Sequence, residues 1–537
     1  MDTDGGIRTL IRTFRAGHPL QPAEAVQLKI LGYNLPLRST GIQEIILKHP
    51  QTQKLTEFEQ ELINIKKRKM VNGLTTPIQN LPPELLSYIF ELAVDTNVIL
   101  GRPGVRGFGA ISLSAVCSHW RDVTMGRPAL WATLSLYLRH GAVSDPTRKR
   151  AKAYLQEAVK RAQNAPLSVI IEFHLFPSFL HPDAIWTMQF LPLLDILMSR
   201  TWRSAIIRHT GSEDCFSSLW DSKILSHLQF VQNLEFDVKE PTYGHGSHPL
   251  FRHSNFSHFP NLRTLLLPFR NQSFSKIPIS YHHLLFHPQL THLRICTGTD
   301  YVNTLKSLRS CATSLETLSL NIFLSITPYE NHSRKSEPLP GELLQQESSI
   351  ICFRALKELV IVATDEPATN GHPLTCVQSV LGLVECPSLV SLTLQSLVGP
   401  EFYVRRRAAL YGSELGLATF KDFVVRSELS MKLRAFAIRG FEMSDDQALA
   451  MLEDLPGLRE LTVSEINAYK MGGDVYKVLT GRFFERFRIT EEVDAEDLVF
   501  LPRLQMFRIL VFRKLGEDFE EFVENRGRRT EIYLLDG

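Results

Sequence analysis

Four histidines within fourteen residues, His245, His248, His253 and His258, are the best candidates in this chain for holding a metal. Neutral imidazole is a good zinc ligand. Their spacing matches no common ligand pattern, and Gly244, Gly246, Ser247 and Pro249 mark a loop, so a solvated insertion is expected. Thiols offer nucleophilic or zinc chemistry. There is no C-x-x-C pair, however, and Cys376 and Cys386 stand ten apart without a flanking histidine motif. Cys296 and Cys386 sit inside repeating units, where a small buried hydrophobe is the expectation. No G-x-x-x-x-G-K-[ST] phosphate loop and no G-x-S-x-G elbow occurs. The expectation is a chain with no catalytic residue, cofactor or metal of its own.

The chemistry that remains is adhesion. Leu81-Pro82-Pro83-Glu84-Leu85-Leu86-Ser87-Tyr88-Ile89-Phe90 opens like a helix. Two prolines suit a first turn, where a missing N–H costs nothing, and Glu84 suits the positive end of the helix dipole. Leu85, Leu86, Ile89, Phe90 and Ala93 predict one broad apolar face. Leu113, Val116, Cys117 and Trp120 repeat the i, i+3, i+4, i+7 pattern and predict a second helix. Pro128 starts a third that carries Leu130, Trp131 and Leu134. So short a stretch buries little surface on its own, and an apolar face of this size marks a partner site.

This stretch resembles the F-box. The LPPELLSYIF run, the VCSHW centre at 116–120 and the LW pair at 130–131 stand in that family's order. The resemblance covers residues 78–136, and it implies docking on a Skp-type adaptor and, through it, a cullin-RING ubiquitin ligase. By position it implies adaptor contacts from Leu81, Pro82, Leu85, Leu86, Ile89, Phe90, Val116, Trp120, Leu130 and Trp131. A glycine-rich stretch at 95–110 replaces the tight join of the shortest family members.

A second signal fills the rest of the chain. Apolar residues recur at i, i+3 and i+5: Trp202/Ala205/Ile207, Val231/Leu234/Phe236, Leu262/Leu265/Leu267, Leu290/Leu293/Ile295 and Leu315/Leu318/Leu320. Leu356/Leu359/Ile361, Leu389/Leu392/Leu394, Leu433/Phe436/Ile438, Leu458/Leu461/Val463 and Leu504/Phe507/Ile509 continue it. The steps between first positions are 29, 31, 28, 25, 41, 33, 44, 25 and 46. The short steps suit a unit of one strand and one return segment. The last two residues of each set share a strand face, and the first plugs the corner entering the strand. This resembles the irregular leucine-rich repeats found behind F-boxes, because the asparagine that ends the regular repeat is mostly missing. Segments 324–350 and 366–373 read as loops.

Before the F-box-like stretch, Leu55, Phe58, Leu62 and Ile65 predict an amphipathic helix ending in Lys66-Lys67-Arg68-Lys69. That basic end is read as solvated, with nuclear import or a nucleic-acid patch as the other meaning. Arg405 to Arg407 and the acidic runs Glu491 to Asp497 and Glu517 to Glu524 read as solvated faces or as a charged rim for a substrate.

Composition sets the frame. The 537 residues are 44% hydrophobic with net charge +2, too balanced for strong attraction to nucleic acid or membrane. Seven scattered cysteines make no disulfide framework, and the first residues lack a secretion signal, so a cytoplasmic or nuclear protein is expected. The expected fold is an α/β repeat: a small all-α module, then a leucine-rich-repeat solenoid of strand–helix units with a curved parallel sheet. The expected divisions are 1–40, poorly defined; 41–72, amphipathic helix; 73–136, F-box-like module; 137–166, helical linker; and 167–537, repeats. The expected role is a non-catalytic adaptor holding an unknown protein substrate, with a non-ligase scaffold as the alternative.

Overall fold

The computed structural model describes residues 81–100, 109–139, 145–175, 182–211, 224–239, 259–267, 286–297, 301–324, 350–365, 373–398, 417–441, 444–464, 483, 486 and 500–510. The chain divides into two compact units. The first takes residues 1–138, 142–170 and 191–200; the second takes 139–141, 171–190 and 201–537.

In the first unit, α1 (Pro83–Ala93) begins at the double proline with Glu84 in its first turn. It buries Leu86, Ser87 and Phe90, and Val94 closes its end. Ala93, expected on that face, is exposed. The inward stripe is thus Leu86, Phe90 and Val94, narrower than the apolar pattern, since Leu85 and Tyr88 point elsewhere. β1 (Asn97–Leu100) follows.

The expected second helix is two helices. α2 (Ala110–Ser114) stops, and α3 (Ser118–Met125) restarts after Cys117, whose extended backbone and Sγ cap the Trp120 N–H at 3.4 Å. The i, i+3, i+4, i+7 spacing spans that break, because a capping residue interrupts the helix without disturbing the apolar count. α4 (Ala129–Ala132) follows Pro128. Leu134, expected in that helix, belongs instead to β2 (Thr133–Arg139), which pairs in parallel with β1. α5 (Asp145–Arg161) packs against α4 and β1 through Ala151, Leu155, Ala158 and Val159.

One polar side chain ties these pieces together. Asn97 is fully buried. Its Oδ1 accepts from the Ala110 N–H at 2.7 Å, the first orphan donor of α2. Its Nδ2 donates to the Leu130 and Thr133 carbonyls at 2.6 and 3.0 Å, the orphan acceptors at the end of α4. Gly109 makes room for it: a Cβ there would lie 2.9 Å from Asn97 Oδ1. Trp131 is equally central. It is wholly buried, its Nε1–H donates to the Thr124 carbonyl at 2.9 Å, and the Arg161 guanidinium lies 4.4 Å from the ring centroid.

β3 (Leu167–Leu175) and α6 (Pro182–Met198) straddle the division. The second unit continues with β4 (Trp202–Gly211), the one-turn α7 (Leu225–Leu228), β5 (Asn233–Lys239), β6 (Thr264–Leu266) and β7 (His292–Thr297). Next come α8 (Tyr301–Ser307), β8 (Thr317–Leu324), β9 (Ile351–Cys352), β10 (Glu358–Asp365), α9 (Pro373–Leu383) and β11 (Val384–Glu385). The last elements are β12 (Ser391–Val398), α10 (Leu417–Arg426), β13 (Ala435–Arg439), α11 (Asp445–Leu452), β14 (Glu460–Ser464) and β15 (Met506–Leu510). From β4 onward the sheet is parallel in the order β4-β5-β6-β7-β8-β10-β12-β13-β14-β15; β9 and β11 form a separate two-stranded pair.

The register of this sheet is the register of the apolar sets. Ala205 and Ile207 face Leu234 and Phe236; Leu318 and Leu320 face Leu359 and Ile361; Phe436 and Ile438 face Leu461 and Val463. Every residue of the ten sets is buried. From Val231 onward the first residue of each set closes a turn at the corner, as where the Leu262, Leu290, Leu389 and Leu458 N–H groups donate to the Phe259, His287, Cys386 and Leu455 carbonyls. From Gln232 to Arg459, the carbonyl immediately after it accepts twice from the next unit. Arg263 receives the Thr291 and His292 N–H groups at 2.8 and 2.9 Å, and Glu316 receives those of Lys357 and Glu358 at 2.8 and 3.1 Å. Where α11 begins, Ser444 and Gln447 form a reciprocal capping box. Gly440, with φ of +70°, leaves β13 where a Cβ would meet the Ser396 carbonyl oxygen at 2.4 Å.

Two substitutions test this account. Asn97→Ala orphans three buried backbone groups, and at ~1 kcal/mol or more each the expected loss is about 3 kcal/mol in urea denaturation of the full chain. Leu359→Ala opens a cavity between two strands and should cost about 2–5 kcal/mol by the same measurement.

Candidate protein-docking site

α1 presents two apolar stripes. Leu86 and Phe90 face inward, with the Phe90 ring centroid 4.8 Å from that of Trp120. Leu85, Tyr88 and Leu92 face solvent, at 54%, 61% and 66% exposure, and Ile89 is half-buried beside them. The outward set has spacing i, i+3, i+4, i+7, a continuous helical stripe with no cover among the described residues. Ile111 on α2 and Val116 after it are also exposed, at 47% and 46%.

The ten residues singled out in the sequence therefore separate. Pro82, Leu85 and Val116 are at the surface, and Leu81, Ile89 and Trp120 are half-buried. Leu86, Phe90, Leu130 and Trp131 are interior. Those four are packed inside the module. Tyr88, Leu92 and Ile111 escaped the sequence reading. The signal was present, since 85, 88, 89 and 92 follow helical spacing, but two apolar stripes on one helix overlap in sequence.

The indole Nε1 of Trp120 is buried and makes no hydrogen bond among the described residues. An unmade bond of that kind costs free energy, so the ring is held there by its packing against Phe90.

The second unit offers a different kind of surface. Side chains between the apolar positions alternate to the other face of the sheet. One row of that face runs Arg294, Ser319, Val360, Thr393, Ala437, Thr462 and Arg508, each beside the next in register. Five small or uncharged residues are thus flanked by two arginines, and of the five Ala437 and Thr462 are buried. Nearer its start, Arg208 on β4 bridges Glu172 on β3 at 2.7 Å and Glu235 on β5 at 3.8 Å.

Four of the described thiols sit in the interior of the second unit. Cys296, Cys311, Cys376 and Cys386 are buried. Burial pushes Cys311 up to about 12, and it raises Cys386 as well, so neither holds a thiolate near neutral pH. Among the described residues no group of His, Cys, Asp and Glu is placed to hold a metal, and no helix is long and apolar enough to cross a membrane. His245 to His258, the helix from Leu55, Lys66 to Lys69, the loop centred on 324–350, Arg405 to Arg407 and both acidic runs lie outside the described residues, as do most of 366–373 and the glycine stretch at 101–108.

No curated protein matches the chain. Residues 78–137 do match the F-box-like family. That span holds α1 through most of β2, with the outward stripe, the Phe90–Trp120 contact and the Asn97 bonds all inside it. F-box-like domains are non-catalytic protein-interaction modules, used in complexes of the ubiquitin-ligase type. The chain therefore carries an F-box-like domain, and its function through that domain is binding.

Proposed function

We propose that this protein is the substrate-recognition subunit of an SCF-type cullin-RING ubiquitin ligase. The observation that carries the reading is the outward stripe of Leu85, Tyr88, Ile89 and Leu92 on an F-box-like module. Such a stripe suits a partner that is itself apolar, and a Skp-type adaptor is that partner. Val116 and Pro82 add surface contacts, while Leu86, Phe90, Leu130 and Trp131 keep the stripe in shape. The adaptor in turn joins the module to a cullin.

The second unit, in this reading, is an irregular leucine-rich-repeat solenoid. Buried i, i+3, i+5 sets in register across a parallel sheet support that assignment. Its free strand face presents a protein substrate. The ligase works by proximity: holding the substrate near a charged ubiquitin-conjugating enzyme raises its effective concentration, and the chemistry occurs on other chains. Cytoplasm and nucleus are the compartments where such a complex operates.

A pull-down of the full-length chain with recombinant Skp-type adaptor tests the proposal. Leu85→Asp with Ile89→Asp should weaken capture ~100-fold or more, because a buried unpaired carboxylate costs several kcal/mol. The double variant should retain its circular dichroism. Phe90→Ala should behave differently, with an unfolding loss of about 3–5 kcal/mol from a core cavity. Undiminished capture by the double aspartate variant would overturn the docking assignment. Failure of the wild type to bind adaptor would leave the non-ligase scaffold as the reading.

A further inference from the structure

Arg434 and Arg459 hold the same place in consecutive units, the residue just before β13 and just before β14. The Arg434 carbonyl accepts from the Arg459 and Glu460 N–H groups at 2.8 Å each. Their backbones are therefore one strand spacing apart, ~4.8 Å. Arg503 stands in the turn before β15. With Arg459, Pro502, Leu504 and Gln505 it lines an open cleft of about 520 Å³. All three arginines are exposed, and none makes an ion pair among the described residues. Two acids close by in sequence are engaged elsewhere, Asp454 with Lys421 at 3.5 Å and Glu428 with Lys432 at 2.9 Å.

The same position earlier in the sheet is solved differently. Glu316 and Lys357 stand just before β8 and β10, joined by the same double hydrogen bond, and they pair at 2.7 Å. The hydrogen bond and charge of Lys357 hold the Glu316 carboxyl below its usual range. This geometry thus brings neighbouring side chains within reach of each other. At Arg434 and Arg459 it brings together two cations, and Arg459 shares the lining of the cleft with a third, Arg503. Like charges at this spacing repel, and the repulsion is relieved when an anion bridges them. Guanidinium forks fit carboxylates with two parallel hydrogen bonds, which favours carboxylate oxygens as the bridging group.

We propose that this cleft binds an acidic segment of a partner protein, with clustered Asp or Glu carboxylates seated among Arg434, Arg459 and Arg503. Calling that partner a substrate rests on the receptor role proposed above; the binding itself does not.

The test titrates full-length protein into a fluorescein-labelled peptide of alternating Glu and Ala, with the Gln peptide as control. The Glu peptide should bind about tenfold tighter or more than the Gln peptide, and its affinity should fall as salt rises. Arg434→Gln/Arg459→Gln/Arg503→Gln should lose about tenfold or more with its circular dichroism unchanged. Arg148→Gln/Lys149→Gln/Arg150→Gln, which discharges the basic start of α5, should bind as wild type. No binding, equal binding of the two peptides, or equal binding by the triple cleft variant would overturn the proposal. Binding that emerges only once Glu491, Glu492, Asp494, Glu496 and Asp497 are changed to amides would assign the arginines to this chain's own acidic run, and would overturn it as well. The adaptor pull-down reads another module, so failure there is distinct from failure here.

Discussion

A carbonyl that accepts two hydrogen bonds sets the order of the second unit. At eight corners, from Gln232 to Arg459, the residue after the plugging side chain offers its oxygen to two consecutive N–H groups of the following unit, as Val390 does for Arg434 and Ala435 and Arg459 does for Gln505 and Met506. Side chains on a strand alternate, so a slip of one residue would turn every buried leucine outward. The paired hydrogen bonds lie at the start of each of these strands, next to the ladder. Leu392 faces Phe436, and Leu394 faces Ile438, in the same register that joins Val390 to Arg434 and Ala435. Packing and hydrogen bonding select the same register, and the free face inherits it.

The first unit meets a related problem with a side chain. Short helices leave a large share of their backbone groups unpaired at the ends. α2 and α4 are five and four residues long, so most of their polar backbone is terminal. Asn97 serves both ends at once, and the Cys117 thiol serves a third. With its ends bonded internally, α1 can leave Leu85, Tyr88 and Leu92 in solvent and spend only Leu86 and Phe90 on the core. The exposed stripe is affordable because the module is held by other means.

Much of this was legible in the residues. The ten apolar sets carried both the strands and their mutual register, since period-two alternation and a fixed offset leave few alternatives. Other features were hidden for identifiable reasons. Asn97 carries no sequence signal, because its partners lie 13, 33 and 36 residues away. The break between α2 and α3 is masked by Cys117, which looks apolar yet caps. The outward stripe was half read: apolar periodicity marks a helix with two greasy sides without saying which one is the core. Arg434 and Arg459 look scattered in the chain and become neighbours only through a register that folding creates.

The spacing between corners varies from 25 to 46 residues, yet the register across them does not change. Closing a longer connection costs little extra, because loop entropy grows only with the logarithm of length. The sheet therefore behaves like a text with fixed line starts and lines of any length. A connection can gain or lose residues without shifting what its neighbours present on the open face. Such a frame lets the other face of the sheet be revised one line at a time.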